Sequence, residues 1–271
     1  MDMPYETFVV DRDGAVATVW FNRPEILNPI NEVVMRELLA ITAELERDED
    51  TRVVILTGKG RAFSAGADTR ATLGPMADRE ARRKLSDPAK LRSARTGRRI
   101  MDDWERLDQM TIAAINGWAV GGGLSLAMAC DFRVMADTAR IFIPEVRLGL
   151  PYMWGSLTRL INLVGMARAK ELVMTCDQIG ADQALAMGLV NRVVSGAQVL
   201  LAARELAERL LSMPPMAMRR TKEFFRALLS NRAGDITVAD AYLGAGCADG
   251  EDTAEAITAF REKRAGRYRD R

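Results

Sequence analysis

From Thr111 to Cys130 the chain carries no charged residue, and three consecutive glycines, Gly121–Gly123, divide the run in two. Thr111–Ile115 reads as a short apolar strand, and Leu124–Cys130 reads as an apolar helix. The run is long enough to imitate a membrane span. Asn116, the glycines and the change of period inside it predict strand, turn and buried helix instead. A helix that starts on glycine presents unpaired backbone N–H groups at its first turn. Those groups and the helix dipole suit a developing negative charge.

The 271-residue chain contains no histidine. Serine–histidine and cysteine–histidine nucleophiles and histidine-ligated metals are therefore excluded, and acid–base work must come from Asp, Glu, Lys, Tyr or Cys. A net charge of +1 gives no case for a nucleic-acid or membrane surface. Cys130, Cys176 and Cys247 have no paired spacing and read as reduced thiols, and the N-terminus has no signal-peptide pattern. The expectation is a cytoplasmic protein.

Phe8–Val10 and Ala15–Phe21 flank Asp13-Gly14 and predict a hairpin. Val34, Leu38, Ile41 and Leu45 recur at helical spacing. Val53–Thr57, Ile112–Ile115, Phe132–Ala136 and Ile141–Ile143 read as short strands separated by helices, which predicts an α/β class. Residues 70–99 hold ten Lys or Arg and three acids, and read as a solvated, mobile insertion or as an electropositive lid. From about residue 156 the pattern is helical: 157–164, 167–174, 181–187, 200–211, 216–229 and 254–263. We divide the chain into a core, 1–198, and a helical C-terminal region, 199–271.

Several ordered motifs now resemble the crotonase (enoyl-CoA hydratase/isomerase) superfamily. They are Asn22-Arg-Pro-Glu25 with Asn28, Phe63-Ser-Ala-Gly-Ala-Asp68, Ile115 through Gly123 to Asp131, Asp182 to Asn191, and Thr258 to Arg264. The resemblance implies a spiral of ββα units with a C-terminal helical trimerisation region, assembled as a homotrimer or hexamer. It implies an acyl-CoA thioester substrate, with no cofactor beyond that coenzyme A, no metal, no nucleic acid and no membrane. By position, the Ala67 and Gly122 N–H groups would hold the thioester oxygen of an enolate. Losing one such donor typically costs about 2.7–4 kcal/mol of barrier. Ala65, Asp68, Leu27 and Gly121 fall in the substrate-binding loops, and Phe260 and Lys263 match a C-terminal pair that contacts the nucleotide in family members.

Family hydratases use two glutamates. Here the first position is Ser125, and the second is Glu145 in Pro144-Glu-Val-Arg-Leu-Gly149. A serine without an activating partner is no general base at neutral pH. Glu145 is left as the motif-matched acid or base, with apolar neighbours that would raise its pKa. Ser125 would orient water or substrate. Hydration or dehydration, double-bond isomerisation, a hydratase-lyase reaction on an aromatic enoyl-CoA, and acyl-CoA binding without catalysis all fit this set. Tyr152, Met153 and Trp154 stand where the family carries small residues; the expectation is that they, Trp154 among them, line the acyl pocket and make it narrower or complementary to an aromatic group, the alternative being that they face the core or a subunit contact. Asp68, Asp131 or a C-terminal acid are the candidates for a second carboxylate opposite Glu145.

Overall fold

A computed structural model describes residues 5–68, 70, 87–232 and 250–267. The first hairpin pairs β1 (Phe8–Asp13) with β2 (Val16–Phe21), Asp13 facing Val16 across a turn in which Gly14 has φ +56°. A left-handed residue is what a tight hairpin turn demands, and glycine takes it without a Cβ clash. Helix α1 (Glu32–Leu45) is capped by Asn31, whose Oδ1 accepts the Val34 N–H at 3.0 Å. Val34, Leu38, Ile41 and Leu45 face the core as their spacing predicts.

Two sheets then grow together. Strands β3 (Val53–Gly58), β5 (Met110–Ile115), β7 (Phe132–Ala136) and β10 (Arg192–Val194) join the hairpin in a six-stranded sheet of order β1-β2-β3-β5-β7-β10, parallel from β2 onward. Each strand from β3 to β7 is followed by a short strand of a second sheet: β4 (Ala62–Ser64), β6 (Trp118–Val120) and β8 (Arg140–Phe142). These three pair in parallel, and β9 (Ile179–Gly180) closes the order β4-β6-β8-β9. Helices α2 (Asp87–Arg106), α3 (Gly122–Ala129) and α4 (Ser156–Thr175) complete three ββα turns. The expected α/β class and repeating unit are both present.

Beyond the spiral lie α5 (Ala181–Ala186), α6 (Val199–Leu211), α7 (Pro215–Arg232) and α8 (Glu251–Glu262). Helix α6 buries Ala202, Ala203 and Ala207 while packing on β3, β5 and β7. Lys222 on α7 reaches Asp131 at 2.8 Å and the Gln109 carbonyl at 2.8 Å.

The expected helices 157–164 and 167–174 are the two segments of α4, separated at Gly165, whose φ +79° and ψ 162° are not helical. One expectation needs correction. The basic segment 70–99 is not wholly an insertion, because 87–99 belong to α2. That helix buries Gly97, Ile100, Met101 and Trp104, so its arginines line one side of a core helix. Residues 71–86 lie outside the described residues. Among the described residues, no helix is long and apolar enough to cross a membrane.

Helix α3 is buried along its whole length and approaches β4 through Gly123. A methyl group there would lie 2.7 Å from Ser64 Cβ and 2.9 Å from the Ser64 carbonyl oxygen. Gly123→Ala is expected to destabilise the fold by about 1–3 kcal/mol. Chemical denaturation measures it, and an unchanged midpoint would contradict so close an approach.

Candidate active site

Strands β4, β6 and β8 are parallel, with Ser64 beside Ala119 after a register shift between Ala62 and Ser64, and Val120 beside Phe142. The loops that follow them therefore emerge at the same edge: residues 65–68, 121–123 and 143–145. Loops leaving the C-terminal ends of parallel strands are where α/β sheets form their sites.

The first loop is held from below. Asn28, buried and at φ +54°, accepts the Arg23 N–H and donates to the carbonyls of Lys59 and Ala62. Leu27, at φ +67°, offers its carbonyl to the Ala65 N–H at 2.9 Å. The Gly66 N–H goes to Ser64 Oγ, and the Ile30 N–H donates to the Gly66 carbonyl at 2.7 Å. The Asp68 N–H completes this parallel bridge by donating to the Ile30 carbonyl at 2.9 Å. A parallel bridge uses the residues on either side of Ala67, so the Ala67 N–H points away from it. The donors of Ala65, Gly66 and Asp68 are thus engaged within the protein, and Ala67 carries the outward one.

Gly66, at φ +77°, rests on the second loop: a Cβ there would stand 2.6 Å from the Val120 carbonyl oxygen and 3.6 Å from Gly122 N. Gly121 adopts φ +45°, ψ −114° and donates its N–H to the Phe142 carbonyl at 2.9 Å. Gly122 opens α3, so its N–H belongs to the unpaired first turn. Gly66, the neighbour of Ala67, therefore lies against Gly122 at the start of α3.

The third loop delivers Glu145. Its carboxyl end packs against Gly121, where any Cβ would collide with Oε1. Oε2 is buried without a hydrogen-bond partner among the described residues. Burial raises the pKa from the ordinary 4.5 to about 8, opposed only by the residue's own backbone N–H. Arg147 does not pair with it; that guanidinium lies over the Phe142 ring and donates to the Cys176 carbonyl.

Ser125 sits on α3 one turn beyond Gly121 and is buried. Its Oγ lies 3.1 Å from the Gly121 carbonyl, 3.2 Å from Tyr152 Oη and 2.7 Å from Ser156 Oγ. A cluster of neutral hydroxyls therefore occupies the place of the second carboxylate. Ser156 was not singled out in the sequence, because nothing local links it to a residue 31 positions away. Asp131 does not reach this site: it accepts from Thr111 N and Oγ and pairs with Lys222. Asp68 lies 3.8 Å from Arg23 and accepts the Arg70 N–H. Phe260, 38% exposed, and Lys263 end α8. Neither is hydrogen-bonded to Gly121, Ser125 or Glu145. The buried side of α8, through Ile257, packs with Leu148, Leu150 and Ala67.

The enoyl-CoA hydratase/isomerase family model matches residues 11–271. The chain belongs to the enoyl-CoA hydratase/isomerase family. A short-chain-enoyl-CoA hydratase of Clostridium acetobutylicum is 36% identical over 266 residues, covering 97% of both chains. An enoyl-CoA hydratase/isomerase structure from Mycobacterium paratuberculosis superposes with a TM-score of 0.84 at 29% identity, over 95% of this chain and 99% of that one. A monofunctional enoyl-CoA isomerase from M. smegmatis superposes with a TM-score of 0.69 at 31% identity, over 86% and 98%. The fold is that of the crotonase superfamily, and the chain is an enzyme of the hydratase/isomerase type acting on acyl-CoA.

A carboxyl held above its unfolded-state value binds more protons in the folded protein. The stability carried by its neutral form is complete below pH 4.5 and is lost as pH rises through about 8. Glu145→Gln is therefore expected to melt higher than the parent at pH 9 and close to it at pH 4.5. Melting curves that differ equally at both values would contradict this burial.

Proposed function

We propose that this enzyme shifts the double bond of an enoyl-CoA, with Glu145 as the single carboxylate that removes and returns the proton. Ala67 and Gly122 N–H groups hold the thioester oxygen as negative charge develops on it, and the α3 dipole reinforces them. Glu145 faces the same glycine turn and takes the α-proton in its ionised form. Burial makes it a stronger base than an exposed glutamate and a competent acid for returning the proton at the γ-carbon. Ser125 is held by Tyr152 and Ser156 and orients bound substrate without acting as a base.

The observation that carries this reading is the pair formed by Glu145 and the Ser125–Tyr152–Ser156 hydroxyls. Hydration across a double bond is served by two carboxylates; proton relocation needs one. The isomerase from M. smegmatis shares the fold and 31% identity, and supports the same reading. Coenzyme A enters as part of the substrate, with Ala65, Asp68 and Leu27 forming the loop beside it and Phe260 and Lys263 at its nucleotide end. Exposed Met216, Phe224 and Phe225 on α7 fit a subunit contact in a homotrimer or hexamer.

Incubation with 3-enoyl-CoA and 2-enoyl-CoA in deuterated water tests the assignment. Interconversion with isotope incorporation is expected, and Glu145→Gln should lower it about 100- to 10,000-fold. Formation of 3-hydroxyacyl-CoA as the main product would refute isomerisation. Retained turnover in Glu145→Gln would refute the base.

The pH profile supplies a second test. Because the ionised form starts the reaction, kcat/KM is expected to rise through about pH 8 and then level. A fall over that range would assign Glu145 as the initial acid instead.

A further inference from the structure

We infer that Trp154 closes the acyl end of the site, so that the substrate carries a short acyl group of the crotonyl size class. This rests on Gly122 being a donor to the thioester oxygen, as proposed above. Trp154 packs on Gly122 itself, so the acyl chain of a thioester held there meets the indole.

The indole spans two glycines. A Cβ on Gly122 would collide with the benzene edge, at Cζ3, and would lie 2.9 Å from Cη2. A Cβ on Gly97 of α2 would collide with the pyrrole edge, at Cδ1, Nε1 and Cε2. The ring therefore fills the gap between α2 and the first residue of α3, in contact with the backbone at both ends. Any other residue at either position would expel it.

The backbone beneath the ring is fixed as well. Trp154 and Gly155 are both left-handed, at φ +66° and +67°. Such a conformation is costly for a bulky residue and persists only where its surroundings hold it. Arg159 supplies the hold: its Nη1 lies 3.4 Å from the carbonyls of Trp154 and Gly155, while its Nη2 meets Asp102 at 2.8 Å and Glu105 at 2.6 Å on α2. The loop that carries the indole and the helix that receives it are clamped by one buried guanidinium. On the other side Tyr152 is buried against Ser125. A long acyl chain directed at this wall would have to displace the ring, and a short one would not.

Calorimetric titration of butanoyl-, octanoyl- and dodecanoyl-CoA, which have no double bond to move, reads chain length without turnover. The parent is expected to bind dodecanoyl-CoA no tighter than butanoyl-CoA, despite its greater apolar area. Trp154→Ala should raise the dodecanoyl-to-butanoyl affinity ratio about ten-fold or more, and Trp154→Phe should fall between them. Circular-dichroism melts confirm that each variant is folded, and the Phe variant decides the matter if the Ala variant is not. A parent that prefers dodecanoyl-CoA, or a ratio unmoved in the folded variants, overturns the inference. If that happens while turnover still depends on Glu145, only the role of Trp154 falls. Failure to bind any ester overturns both readings.

Discussion

Everything in the site depends on three short parallel strands, β4, β6 and β8, ending at one edge with their backbones almost touching. Hydrogen bonding fixes the spacing of the strands, but not of the loops beyond them. Glycine does that. Gly66 rests on the Val120 carbonyl, Gly121 turns against the Glu145 carboxyl, and Gly122 lies under the Trp154 ring. A Cβ at any of these points would force the loops apart and separate the donors from the acid. Positive φ at Gly66 and Gly121 adds a second reason why no other residue serves there.

The electrostatics follow from what surrounds this edge. The Ser125 cluster is neutral, and Arg159, which holds the loop carrying Trp154, is paired with Asp102 and Glu105. Among the described residues Glu145 has no counter-charge, which is the condition that holds a buried carboxyl near neutrality at physiological pH. Had the Ser125 position carried a second carboxylate, two like charges would share the pocket and titrate as a pair.

Much of this was legible in the chain. The apolar spacing of α1, the Asp13-Gly14 hairpin and the strand–glycine–helix join at 111–130 follow from local chemistry, and the structure reproduces them. In the basic run 70–99, residues 87–99 belong to α2, where Arg95, Arg98 and Arg99 share one side of the helix. The few residues that dock α2, Gly97 among them, carry no signal without a partner to contact. Arg159 was equally silent, since its partners lie more than fifty residues upstream.

The absence of histidine, the glycine run and the single motif-matched glutamate are properties of sequence alone. They excluded histidine chemistry, and the family resemblance of the motifs pointed to a backbone-held oxyanion and a carboxyl group. Tertiary structure decided the rest. It engaged the other loop donors and left Ala67 outward, paired Asp131 with Lys222, set Asp68 near Arg23, and tied Ser125 to Tyr152 and Ser156. It also set Trp154 between two helices. Spacing along the chain fixes which groups are available; only the packing of distant elements fixes which of them remain unpaired, and an unpaired group is what a substrate meets.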